Sequence, residues 1–106
     1  MEDKIKIRYK IVRPRQKRGY EIEHISSTEN ISAGGLLFVS NELLPLGSIL
    51  ELKIPLPDGD RPIQCLARVL RVEEIIAEKT YDIAVCFLDI SGAERARLNK
   101  YVQEGT

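Results

Sequence analysis

Between Lys4 and Ile11, apolar and basic residues alternate without a break. Ile5, Ile7, Tyr9 and Ile11 fall on one side of an extended chain, and Lys4, Lys6, Arg8 and Lys10 on the other. A period of two is the mark of a strand buried on one face only. It returns over Ile49 to Ile54, where Leu50, Leu52 and Ile54 oppose Glu51 and Lys53. Proline and glycine break the pattern at short intervals: Arg13-Pro14-Arg15-Gln16-Lys17-Arg18-Gly19 as a hairpin connection, Asn41 to Gly47 as a loop, and Pro57-Asp58-Gly59-Asp60 as a tight turn. Short strands so punctuated pair antiparallel.

The remaining segments fit that frame. Tyr20, Ile22 and His24 alternate with Glu21 and Glu23 in a returning strand, which sets glutamates opposite the Lys/Arg face. The alternation slips at Ile25, where a bulge is expected. Leu36 to Val39 reads as a short, fully buried strand. Ile63 to Val72 is long and apolar on both faces, as for a strand twisting through the middle of a sheet. Glu73 to Thr80 reads as a charged connector whose Ile75 and Ile76 either tuck onto the core or present a small apolar spot to a partner. Tyr81 to Ile90 is a further core strand. Ser91-Gly92-Ala93-Glu94 has the spacing of a capping box, and Leu98, Tyr101 and Val102 share one face of the helix that follows. Six or seven strands and one C-terminal helix make an all-β fold: a small antiparallel barrel over about residues 4–90, with a helix over about 92–103 lying against it.

A chain of 106 residues forms one domain, 1–106, large enough to bury a core unaided. At 43% hydrophobic and 30% charged residues its composition is that of a globular protein. It has no apolar run of membrane-spanning length, and its charged N-terminus is unlike a signal peptide, so a cytoplasmic location and no membrane partner are expected. Cys65 and Cys86 lie in apolar, strand-like runs and are expected as buried reduced thiols, a disulfide being the alternative. With His24 they match no metal-ligand spacing; His24 is expected half-exposed in a strand. No nucleophile elbow, phosphate-cradling loop or metal motif is present, so a binding module without catalysis or cofactor is the expected class. The formal net charge of zero divides unevenly: residues 1–18 hold eight Lys or Arg against Glu2 and Asp3, a net of +6, and the rest carries −6. Such polarity points to an anionic ligand or to contacts within the molecule.

The stretch Glu29-Asn30-Ile31-Ser32-Ala33-Gly34-Gly35-Leu36-Leu37-Phe38-Val39 stands apart. Gly34 and Gly35 strip the backbone of Cβ atoms, allowing positive φ or close approach of another molecule. In an extended chain Asn30 and Ser32 share one face and Ile31 the other. An amide and a hydroxyl beside bare backbone suit a flat polar ligand edge; equally, they suit a tight bend in which both side chains bond the local backbone.

Asn30-Ile31-Ser32-Ala33-Gly34-Gly35-Leu36 resembles the [D/N]-x-S-x-x-G motif of PilZ domains, receptors for the bacterial second messenger cyclic di-GMP. Leu44-Pro45-Leu46-Gly47, Leu56-Pro57-Asp58-Gly59, Arg68-Val69-Leu70-Arg71-Val72, Ala84-Val85-Cys86-Phe87-Leu88-Asp89-Ile90 and the closing helix follow in the family's order, so the resemblance spans about residues 5–103. It implies a six-stranded antiparallel barrel with one C-terminal α-helix. It also implies that Asn30, Ser32 and Gly35 contact a guanine, as amide and hydroxyl groups bond base edges. The family's R-x-x-x-R pair, which grips the phosphates, has no full match: Lys4-Ile5-Lys6-Ile7-Arg8 begins with lysine and Arg13-Pro14-Arg15-Gln16-Lys17 ends with it.

Three readings follow. In the first, the chain binds cyclic di-GMP, weakly, through Asn30, Ser32 and Gly35, with Arg8 or the cluster of Arg13, Arg15 and Arg18 serving the phosphates. In the second, it is a degenerate domain that binds no nucleotide and acts as a protein adaptor. In the third, the Lys4/Lys6/Arg8/Lys10 face binds single-stranded nucleic acid; the few aromatic residues nearby and the opposing Glu21 and Glu23 place it last, so neither DNA nor RNA is expected. The expected partners are cyclic di-GMP and a protein effector, the chain itself being a monomer or homodimer.

Overall fold

A computed structural model of the chain describes residues 5–12, 23–59 and 61–104. Six strands run in the order β1 (Lys6–Ile11), β2 (His24–Ile31), β3 (Gly35–Ser40), β4 (Ile49–Ile54), β5 (Ile63–Ile76) and β6 (Thr80–Phe87), followed by helix α1 (Gly92–Glu104). They close into a barrel, β1-β2-β3-β6-β5-β4, with every neighbouring pair antiparallel. The connection expected at Arg13–Gly19, with Tyr20 and Ile22, lies outside the described residues.

Period-two burial drives closure. Ile7, Phe38, Leu50, Leu52, Ile54, Ile63 and Ile83 are fully buried in the barrel, and Leu44 enters from the β3–β4 loop. Each such side chain contributes about 1.5–3 kcal/mol of transfer free energy. Two buried polar groups are satisfied: Thr28 Oγ1 accepts from Ile5 N and donates to Ile5 O, each at 3.2 Å, and Ser40 Oγ donates to Glu42 O at 2.8 Å.

Several expectations need correction. The segment from Leu36 to Val39 is not buried on both faces: Leu36 and Phe38 point inward, while Leu37 and Val39 stay half-buried on the outside. The bulge of β2 falls between Thr28 and Asn30, not at Ile25. Glu73 to Ile76 is no connector but the end of β5, and only 77–79 turn, with Glu78 at a φ of 59°. β6 stops at Phe87, short of Ile90, and Cys86 is half-buried, although both cysteines are free.

Where β6 stops, side chains continue its ladder. Leu66 N donates to Asp89 Oδ1 at 2.6 Å and Gln64 N to Glu94 Oε2 at 3.4 Å. The Ser91 half of the expected capping box forms, Ser91 Oγ accepting from Glu94 N at 3.1 Å, while the Glu94 carboxylate takes the Ser91 hydroxyl at 3.2 Å in place of the Ser91 N–H. Leu98 then seats α1 on the core, and Arg97 holds Asp58 in the β4–β5 turn through two bonds of 2.8 and 2.9 Å.

Candidate functional site

The outer surface of the barrel is read off the ladders. Asn30 on β2 pairs with Leu37 on β3, Leu37 with Ala84 on β6, and Ala84 with Arg71 on β5. The next row joins Gly35, Cys86 and Arg68. Small side chains at Gly35, Ala84 and Cys86 leave a shallow floor, a groove of about 350 Å³ whose lining includes Asn30, Ser32, Gly34, Leu70 and Arg71. At about 4.8 Å per strand interval, Asn30 and Arg71 stand roughly 14 Å apart across it.

One wall is a bend. Ser32 N donates to Gly35 O at 2.9 Å, Gly34 N donates to Ser32 Oγ at 3.3 Å, and Ser32 Oγ donates to Gly35 O at 3.3 Å. The Ser32 hydroxyl is thus used locally, in a bend that the sequence already allowed. Asn30 and Ser32 are both exposed, while Ile31 packs on the core, as the extended-chain geometry requires. Arg95 of α1 holds the same bend from outside, its Nη1 donating to Ala33 O at 2.8 Å.

The two glycines differ. Neither has positive φ. A Cβ on Gly35 would stand 2.1 Å from Val85 O, so Gly35 admits the chain's own β6 and not a foreign molecule. A Cβ on Gly34 would meet nothing within 4 Å, which leaves this backbone open to a ligand.

Of the expected cations only Arg8 lies among the described residues. Arg8 pairs with Ile25, five residues along β2 from Asn30 or about 17 Å. Its Nη1 contacts Glu23 Oε1 at 3.3 Å, so the structure does not bring Arg8 to the groove. Arg13, Arg15 and Arg18 lie outside the described residues. Arg71, absent from the sequence-based set, lines the groove, and Arg95, also absent from it, bonds the Ala33 carbonyl in the bend beside it. In a regular strand Arg68 and Arg71, three apart, would face opposite ways; Leu70 bulges out of the β5–β6 register, and both arginines point outward.

A second concavity, about 390 Å³, lies between β2 and β3 beside Tyr9, His24, Ser26, Ser40 and Glu42. Its groups satisfy one another. Ser26 Oγ donates to Val39 O, the Tyr9 and Ser40 hydroxyls share a bond of 3.1 Å, and His24 lies on Tyr9 with its Nε2 3.0 Å from Glu42 Oε1. Burial raises the Tyr9 phenol above its ordinary pKa; the Ser40 bond opposes this and the Glu42 charge adds to it. Among the described residues no group of three or more His, Cys, Asp or Glu could hold a metal, and no helix is long and apolar enough to cross a membrane.

Comparison with known proteins places this geometry. None of the curated proteins matches the sequence. Among solved structures, the Bacillus subtilis inhibitor of motility (MotI/DgrA) is similar, with a TM-score of 0.69 and 25% identity over 98% of this chain and 47% of that one. The chain therefore spans about half the length of that protein. The family model described as PilZ domain matches residues 4–104, and with nearly its whole length matched the chain belongs to the PilZ domain family.

Proposed function

We propose that this PilZ-type regulatory domain is a non-catalytic receptor for cyclic di-GMP, and that the ligand lies in the groove between Asn30 and Arg71. The observation that carries the reading is the cross-strand row Asn30–Leu37–Ala84–Arg71: a base-reading amide at one end, a guanidinium at the other, and an apolar floor of Leu37 and Ala84 between them. The Asn30 amide offers both a donor and an acceptor to a guanine edge. Gly34 gives a base access to bare backbone. Arg71 supplies a planar fork for phosphate oxygens, which a lysine would not. Arg95 and Ser32 act by fixing the bend, with the Ser32 hydroxyl turning to the base when one is present. Binding is weak, because Arg8 is held by Glu23 and the family's arginine pair is incomplete.

The test is calorimetric titration of the full chain with cyclic di-GMP. Saturable heat in the micromolar range or above, lost in Asn30→Ala and in Arg71→Ala, supports the reading; no heat at high protein concentration overturns it. The adaptor reading draws on the Ser32 hydroxyl being engaged by its own bend and on the exposure of Ile75 and Ile76. An effector protein that binds equally with and without the nucleotide, and is lost in Ile75→Asp, would select it. In either case the domain is expected to work in the cytoplasm of a bacterial cell.

A further inference from the structure

β5 outruns its neighbour. On the β4 side its last backbone bonds are at Val69, whose N donates to Ser48 O at 2.9 Å and whose O accepts from Gly47 N at 2.9 Å. The strand continues seven residues further, to Ile76, bonded to β6 alone among the described residues. Such an edge presents unpaired N–H and C=O groups to any extended chain.

We infer that this edge, unpaired among the described residues, pairs with the same edge of a second copy, antiparallel and centred on Val72. The sequence Arg71-Val72-Glu73 is self-complementary in that register. A two-fold axis perpendicular to the sheet sets Val72 against Val72 of the second copy. Arg71 then faces Glu73 of the other chain, twice, and on the outer surface, where both side chains are exposed. The segment from Arg71 to Glu74 holds regular register with β6, between the irregularities at Leu70 and Ile75, so a straight edge is available there. The ladder ends at Leu70, because Val69 is already bonded to the Gly47–Ser48 chain. That stop brings Ile75 and Ile76, 51% and 53% exposed, to the other copy's β3–β4 loop, where Leu46 is 69% exposed.

Charge inside one copy also asks for a cation here. Glu73 pairs directly with Asp82 across β5–β6, and Asp82 Oδ1 is buried without a hydrogen-bond partner among the described residues. Like charges directly opposite are unfavourable. Arg71 of the second copy arrives beside that pair. No nucleotide enters this argument, but Arg71 is common to it and to the receptor reading; Glu73 does not line the groove, so Glu73→Arg separates a failure of association from a failure of ligand binding.

Sedimentation velocity of the full chain from micromolar to millimolar concentration tests it, with Arg71→Glu, Glu73→Arg and the double exchange alongside. The wild-type chain is expected to pass from its monomer mass of 12.0 kDa towards twice that value. Each single reversal sets like charges together and weakens association by roughly tenfold or more. The double exchange restores it. A wild-type chain that stays monomeric throughout, single reversals without effect, or a double exchange that fails to recover the dimer would overturn the inference. Unchanged far-ultraviolet circular dichroism is the check that each variant is folded.

Discussion

Asn30 and Arg71, forty-one residues apart in the chain, end the same cross-strand row on the outside of the barrel. Only closure of the sheet in the order β2-β3-β6-β5 brings them to one groove. The guanine-reading and phosphate-holding parts of the proposed site thus come from opposite halves of the sequence, joined by a floor of Leu37 and Ala84.

The two motif glycines should respond oppositely to alanine. Gly35→Ala drives a Cβ into Val85 O, a backbone atom that cannot swing aside, and should destabilise the fold by about 2 kcal/mol or more. Gly34→Ala meets nothing and should stay within about 0.5 kcal/mol of the wild type. Urea unfolding followed by circular dichroism measures both.

Ser91→Ala removes both bonds between Ser91 and Glu94, leaving Glu94 N without its acceptor. The expected cost is about 1 kcal/mol, read as a lower urea midpoint with an unchanged slope. Ser91→Thr, which keeps a hydroxyl able both to accept from Glu94 N and to donate to Glu94 Oε1, should restore the midpoint.

Alkaline pH should weaken the fold through Cys65. Burial, then the carboxylates of Asp89 and Glu94, push this thiol up to about 12 from an ordinary value of 9.0. Its contribution is fully present below pH 9.0 and is lost as pH rises towards about 12, since the unfolded chain releases the proton first. Unfolding midpoints measured across that window should fall with a slope that Cys65→Ala reduces.

The barrel was legible in the sequence because half-burial writes itself as alternation, and β1 and β4 carry that signal over their full length. It faded where burial did. Past the barrel rim, Glu73 to Ile76 have solvent around both faces, so β5 reads there as a charged connector although its ladder with β6 continues. The helix start was plain, since a capping box is a local device. Asn30 and Ser32 could be assigned to one face from spacing alone. Arg71 could not, because one bulged residue at Leu70 reverses the phase of everything after it. Nor could the part played by Gly35, whose neighbour Val85 lies fifty residues on and comes near only through β3–β6 pairing.

Backbone amide shifts during a cyclic di-GMP titration decide whether the nucleotide lies in the groove between Asn30 and Arg71. Saturable shifts are expected at Asn30 to Leu37, Ala84 to Cys86 and Arg71, with Arg8 and Lys10 unmoved. Shifts confined to Tyr9, His24 and Glu42 around the second concavity, or none at millimolar ligand, would contradict it.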